Sequence, residues 1–199
     1  MKKSILVIAI AALGFTTASA QESVMFGVKG GVNFADITGD DFGDAESRTS
    51  FNLGLVGEIP LSNKVSIQPE VLYSGQGFDV VERDQDNVFD TDGNIEYQLD
   101  YIQVPVLAKF YLVDGLSLQA GPSFNFKVSE EIDYKPLEDG GDVDFDEAED
   151  FEFGVASGLE YKFNNGFFIQ GRYNYGFTDL IKDRDIHNSV FQAGIGFMF

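Results

Sequence analysis

From Val24 onward the chain repeats one motif, about ten residues in which apolar and polar side chains alternate, followed by a polar break. In VMFGVKGGVNF, Val24, Phe26, Val28, Val32 and Phe34 share one parity, and Gly27, Lys29, Gly31 and Asn33 take the other. FNLGLVGEI sets Phe51, Leu53, Leu55 and Ile59 against Asn52, Gly54, Val56 and Glu58, and VSIQPEVLYSG sets Val65, Ile67, Val71 and Tyr73 against Ser66, Gln68, Glu70 and Ser74. YIQVPVLAKFYL opposes Ile102, Val104, Val106, Ala108 and Phe110 to Gln103 and Lys109. The same alternation runs through LSLQAGPSFNFKV (Leu116–Val128), FEFGVASGLEYKF (Phe151–Phe163) and FFIQGRYNYGF (Phe167–Phe177). It ends in VFQAGIGFMF, where Phe191, Ala193, Ile195, Phe197 and Phe199 fall on one parity. Period two is the mark of a strand with two unlike faces, and eight such segments predict eight strands.

The breaks alternate as well. Pro60–Lys64, Val113–Gly115 and Asn164–Gly166 are tight, and Asp114-Gly115 and Asn165-Gly166 are dipeptides that short hairpins favour because both positions tolerate positive φ. Ala35–Thr49, Asp79–Asn94, Ser129–Asp150 and Thr178–Asn188 are long and polar. An even set of antiparallel strands with trimmed turns at one end and long connections at the other has the arrangement of a transmembrane barrel. The predicted fold is all-β, an eight-stranded antiparallel up-and-down transmembrane β-barrel. Both chain ends are then expected on the periplasmic side and the long connections outside.

Alternation does not by itself say which face looks outward, since a soluble ligand-binding barrel or a sandwich also buries one face. An eight-stranded barrel leaves an interior only wide enough for side chains or one small ligand. Here one face carries Phe, Tyr, Leu, Ile and Val on nearly every strand. The other carries Gly, Ser, Asn and Gln interspersed with Lys29, Glu58, Glu70, Lys109, Glu160 and Arg172. Small residues with mixed charges fit a narrow polar interior, and bulky aromatics fit lipid. Unpaired charges in a dry lumen are costly. Arg172, Lys109 and Lys29 are therefore expected to pair with Glu58, Glu70 and Glu160 and to plug the barrel.

The first twenty residues have a different character. Lys2 and Lys3, an apolar run from Ile5 to Phe15 and the triplet Ala18-Ser19-Ala20 form a secretory signal, with cleavage expected between Ala20 and Gln21. The apolar run is shorter than the roughly 20 residues a spanning helix needs. Residues 21–199 then make one barrel domain. Losing Lys2 and Lys3 leaves 11 basic residues against 33 acidic ones, a formal charge of −22. Such a balance argues against nucleic-acid partners. With no cysteine in the chain, no disulfide or thiolate metal site can form.

YIQVPVLAKF (Tyr101–Phe110) is similar to the Y-[IL]-[EQ]-[IV]-P-x-L-x-K strand of small outer-membrane β-barrel proteins of the PorT-like family, and GVKGGVNFAD (Gly27–Asp36) resembles their first strand. The resemblance implies residence in the outer membrane of a Gram-negative cell envelope. Its partners there would be outer-membrane lipid and lipopolysaccharide. The last strand, with Phe191, Ala193, Ile195, Phe197 and the terminal Phe199, looks like the one that outer-membrane assembly machinery reads. A secretion role belongs to particular members, and no residue here transfers it.

Chemistry is sparse. His187, the single histidine, stands two residues before Ser189, which places both on one face of a strand but supplies no triad. The acidic stretches Glu138–Asp150 and Asp84–Gly93 invite calcium, yet Val88 and Leu99 occupy the first and last ligand positions of the one EF-hand-like frame, with Asp90 and Asp92 fitting in between. Those stretches read as solvated charge runs, able at most to bridge weak divalent cations to lipopolysaccharide. No cofactor is expected. The expected role is a non-enzymatic envelope protein, structural or binding an envelope partner through its acidic loops, with a narrow channel or a secretion-accessory barrel as the alternative and a soluble ligand-binding β-barrel or an outer-membrane enzyme ranked behind them.

Overall fold

The computed structural model describes residues 23–38, 45–81, 94–133, 142–144, 148–178 and 187–199. Its strands are β1 (Met25–Thr38), β2 (Ala45–Ser62), β3 (Val65–Val81), β4 (Asn94–Val113), β5 (Leu116–Asp133), β6 (Asp142–Asp144), β7 (Phe151–Lys162), β8 (Phe167–Gly176) and β9 (His187–Met198). Eight of these form one closed antiparallel sheet in the order β4-β3-β2-β1-β9-β8-β7-β5, sealed by the β4–β5 pairing. The last strand lies against the first over twelve residue pairs, from Gly27↔Met198 to Thr38↔His187. β6 only extends the edge of β5, at Glu131–Asp133. The predicted signal segment and its cleavage position, Ala20–Gln21, lie outside the described residues.

The faces are unambiguous. Leu53 and Leu55 are 60% and 64% exposed while Asn52 between the strands' apolar positions is 2% exposed, so the apolar parity looks out of the barrel. Aromatic side chains gather in two outward zones. Phe34 with Phe191, Phe51 with Tyr73, and Phe126 with Phe151 stand toward the long connections. Tyr161, Phe163, Phe167, Phe197 and Phe199 stand toward the tight turns. Aliphatic residues such as Val28, Leu55, Val71, Val106, Leu118 and Ile195 fill the band between them. An apolar band flanked by two aromatic girdles is the outer dress of a barrel in lipid.

The strands run further than their apolar alternation. β4 has 20 residues, whereas about 9–11 cross a bilayer, and Ala35–Thr38 and Ala45–Thr49 are strand where a loop is expected from the sequence. Beyond the lipid both faces can be polar, so the alternation fades while the backbone ladder continues. At the other end the turns are tight, with Gly115 and Gly166 at φ +84° and +88°, a conformation other residues enter only with strain.

With no N–H to donate, Pro69, Pro105 and Pro122 each call for a bulge or an unpaired neighbouring carbonyl, and the register holds across all three. Pro69 faces Val106, Pro105 faces Ser123 and Pro122 faces Val155. The missing N–H groups are absorbed as short gaps in the ladder, between Pro69↔Val106 and Leu72↔Gln103 and between Pro105↔Ser123 and Ala108↔Ala120, with no extra residue. Strong curvature is handled by inward glycines. A Cβ on Gly54 would stand 2.1 Å from the Val71 carbonyl oxygen, and one on Gly31 2.3 Å from that of Ala193, so only glycine lets these strands approach.

Candidate functional site

The polar parity brings its charged groups together inside. Lys29, Glu58, Glu70, Lys109, Glu160 and Arg172 are each no more than 2% exposed. Glu70 lies at the centre. It takes a two-pronged bond from Arg172, 2.7 Å at each nitrogen, and a third from Lys29 at 2.8 Å. Gln68 adds a fourth donor at 2.7 Å. Toward the tight turns Lys109 bridges Glu160 at 2.7 Å and Glu58 at 3.1 Å. Gln119 joins the two groups, donating to Glu160 at 2.7 Å and accepting from Arg172 at 2.9 Å. Cross-strand geometry explains the assembly. The six charged residues come from β1, β2, β3, β4, β7 and β8 and Gln119 from β5, and a narrow barrel points all its inward side chains at one axis.

Two members of this cluster are not singled out by the sequence. Lys162, on the parity of Glu160, reaches Glu58 at 3.0 Å, and Tyr111 donates its hydroxyl to the same carboxylate. The signal for Lys162 was its parity. Tyr111 carries no such signal, because it sits where β4 turns toward the hairpin. A polar vestibule of about 540 Å³, lined by Lys64, Tyr111, Lys162 and Phe199, opens at the tight-turn end and stops at Glu58.

Above the ionic cluster the lumen is lined by neutral side chains. Asn33 donates to Ser74 at 3.0 Å and to the Gly75 carbonyl at 2.6 Å, and accepts from Asn52 at 2.5 Å. Gln103 donates to Ser123 and Asn174 and accepts from Gln192 at 3.2 Å. Higher still the interior turns apolar, contrary to the expectation of a polar lumen throughout. Phe78, Tyr97, Leu99, Tyr101 and Ala148 form a buried cluster with Ile37 and Ile132 against it. Lys127 and Glu130 strap the chain at Ala148 across this mouth, Lys127 donating to its carbonyl at 2.7 Å and Glu130 accepting from its N–H at 3.1 Å. A second small cluster, Val56, Phe168 and Met198, packs near the tight turns. An eight-stranded interior is filled by whatever side chains fit, and apolar ones serve where no polar partner is in reach.

The remaining candidates separate. The His187 ring lies tilted against that of Tyr175, while the Ser189 hydroxyl pairs with Tyr173 at 2.8 Å on the outer face. Val88 to Gly93 lie outside the described residues, and Leu99 is buried in the apolar mouth. Phe191, Ala193, Ile195, Phe197 and Phe199 all face outward, and the Phe199 N–H bonds to the Phe26 carbonyl at 2.7 Å.

Residues 19–182 match the outer membrane protein beta-barrel domain family. The chain belongs to that family. It is therefore an integral protein of the bacterial outer membrane, and its apolar face contacts lipid. Solved structures agree on the fold. Neisserial surface protein A superposes with a TM-score of 0.59 at 14% identity, over 89% of this chain and all of that one. Ail, the attachment invasion locus protein of Yersinia pestis, gives 0.54 at 15% identity over the same shares. No curated protein matches the chain.

Proposed function

We propose that this family member is a closed, non-enzymatic barrel that holds long acidic connections outside the cell and acts through them on an envelope partner. The observation that carries the reading is the ionic cluster. Glu58, Glu70 and Glu160 with Lys29, Lys109 and Arg172 span the lumen from wall to wall, each partner within 3.1 Å of another. A water-filled channel needs a gap that this bonded set fills. The tight turns face the periplasm in this reading, and stretches such as EDGGDVDFDEAED (Glu138–Asp150) face outward, where their charge favours basic protein segments and weak divalent-cation bridges to lipopolysaccharide.

Three finer points belong to the same proposal. The Tyr101–Phe110 strand and the Gly27–Asp36 strand support a PorT-like relationship. The Ala20–Gln21 bond is the cleavage point of an export signal. The outward row Phe191, Ala193, Ile195, Phe197 and Phe199 is the face the assembly machinery reads during insertion. Planar-bilayer recording tests the closed lumen. The expected result is no stable conductance, and steady steps in the nanosiemens range would replace this reading with the channel.

A further inference from the structure

Five carboxylates are buried among the described residues, and four of them have a cation within 3.1 Å: Glu58, Glu70, Glu130 and Glu160. Glu152 is the exception. It is 4% exposed, forms no ion pair with a described residue, and is held by two neutral amides, Asn125 at 2.6 Å and Asn188 at 3.2 Å, with His187 the basic group whose field reaches it. Room has been made for it. A Cβ on Gly176 would lie 2.9 Å from the Glu152 carboxyl carbon, so the side chain lies over a glycine.

The hydrogen-bonded network around Glu152 is short of donors. One branch runs through Asn188 to Gln76, Ser74, Asn33 and Asn52. The other runs through Asn125 and Ser123 to Gln103, Asn174 and Gln192. Among the described residues its buried oxygens Asn188 Oδ1, Asn52 Oδ1 and Gln192 Oε1 have no hydrogen-bond partner, against one unpartnered amide donor, Asn174 Nδ2. The Tyr101 hydroxyl, which can donate or accept, is also buried and has no partner among the described residues. Arg48, the cation at the level of Gln76, is directed at the Gln76 backbone carbonyl at 2.6 Å.

We propose that the upper lumen binds one small monovalent cation at the Glu152 carboxylate, with the unpartnered Asn188 Oδ1 as a second oxygen ligand. Oxygen donors suit hard cations. The charge selects the valence. A single carboxylate cancels one positive charge, and a divalent ion would leave an uncompensated charge in a desolvated lumen. The site is closed by the apolar mouth above and the ionic cluster below, so the cation enters during folding. This is independent of whether the acidic loops bind a partner.

The test is to refold the full chain from urea into detergent with thallium(I) as the only monovalent metal, crystallise it and collect anomalous data. The expected result is one peak on the Glu152 carboxylate, absent in Glu152→Gln. Infrared spectra of the wild-type protein at neutral pH give a second readout that needs no variant to fold. An occupied site keeps Glu152 ionised, whereas a protonated-acid carbonyl band that persists with thallium present assigns the missing charge to a proton. That band, or wild-type crystals with no peak at Glu152, overturns the proposal.

Discussion

Toward the tight turns the lumen holds Lys29, Lys109, Lys162 and Arg172 around Glu58, Glu70 and Glu160; toward the long connections it holds amides and hydroxyls around Glu152. Both regions occupy the same narrow space between the same strands. They differ in how each polar group is satisfied. In the ionic half, charges are neutralised by opposite charges with two-pronged and bridging geometry, and every carboxylate has several donors. In the amide half the side-chain partners are mostly neutral amides and hydroxyls, and the one carboxylate, Glu152, has two amide donors and no ion pair among the described residues. The ionic half is thus the more exacting one. Losing a member strands a charge, where losing an amide strands only a dipole.

The sharpest way to break this comparison is Glu70→Ala. It leaves Lys29 and Arg172 buried without their common partner, and breaking a buried ion pair from one side costs about 3–5 kcal/mol. Urea unfolding in lipid vesicles should show a loss of that size, and a loss below about 1 kcal/mol would mean the cluster is solvated and the lumen wetter than its geometry says. Outside the barrel the scale is set by lipid. Val104→Arg, on the outward face opposite Phe124, should cost about 2–4 kcal/mol if it sits near the bilayer midplane, by the same measurement. In the amide half, Asn33→Leu removes donors to Ser74 and Gly75 and the acceptor for Asn52, and should cost about 1–3 kcal/mol. If Asn33→Leu proved as costly as Glu70→Ala, the distinction between the halves would fail.

The ionic half was also the more legible. Lys29, Glu58, Glu70, Lys109, Glu160 and Arg172 stand out because a charge on the inward parity of a strand is rare and has to be neutralised nearby. The closed fold was legible for a similar reason, since period two over eight segments leaves few alternatives. What did not show was the part where the pattern loses contrast. The upper reach of β2 reads AESRTS, with no large apolar side chain on either parity, so Ala45–Thr49 reads as loop although it pairs with β1 and β3. The apolar mouth was hidden too. Leu99 and Tyr101 share the inward parity of Gln103, and nothing local says that hydrophobic side chains will close over one another there. Glu152 was visible as an inward carboxylate, but that no described residue forms an ion pair with it is a fact about the other strands.

The smallest effect tests the comparison within the ionic half itself. Glu58 receives Lys109 at 3.1 Å, Lys162 at 3.0 Å, Ser66 at 3.0 Å and the Tyr111 hydroxyl. By distance the two lysines are equivalent. By depth they are not, because the Lys162 side chain is 19% exposed at the vestibule and that of Lys109 is 0% exposed. Lys162→Met should therefore cost less than about 1 kcal/mol, since water at the vestibule can take over what the ammonium did and Glu58 keeps its other donors. Lys109→Met should cost about 3–5 kcal/mol, because it withdraws the cation shared by Glu58 and Glu160 where no water replaces it. Unfolding midpoints of the two variants, measured side by side, decide whether depth or contact distance governs. Equal losses would mean that the vestibule is as dry as the centre and that the plug reaches the rim of the barrel.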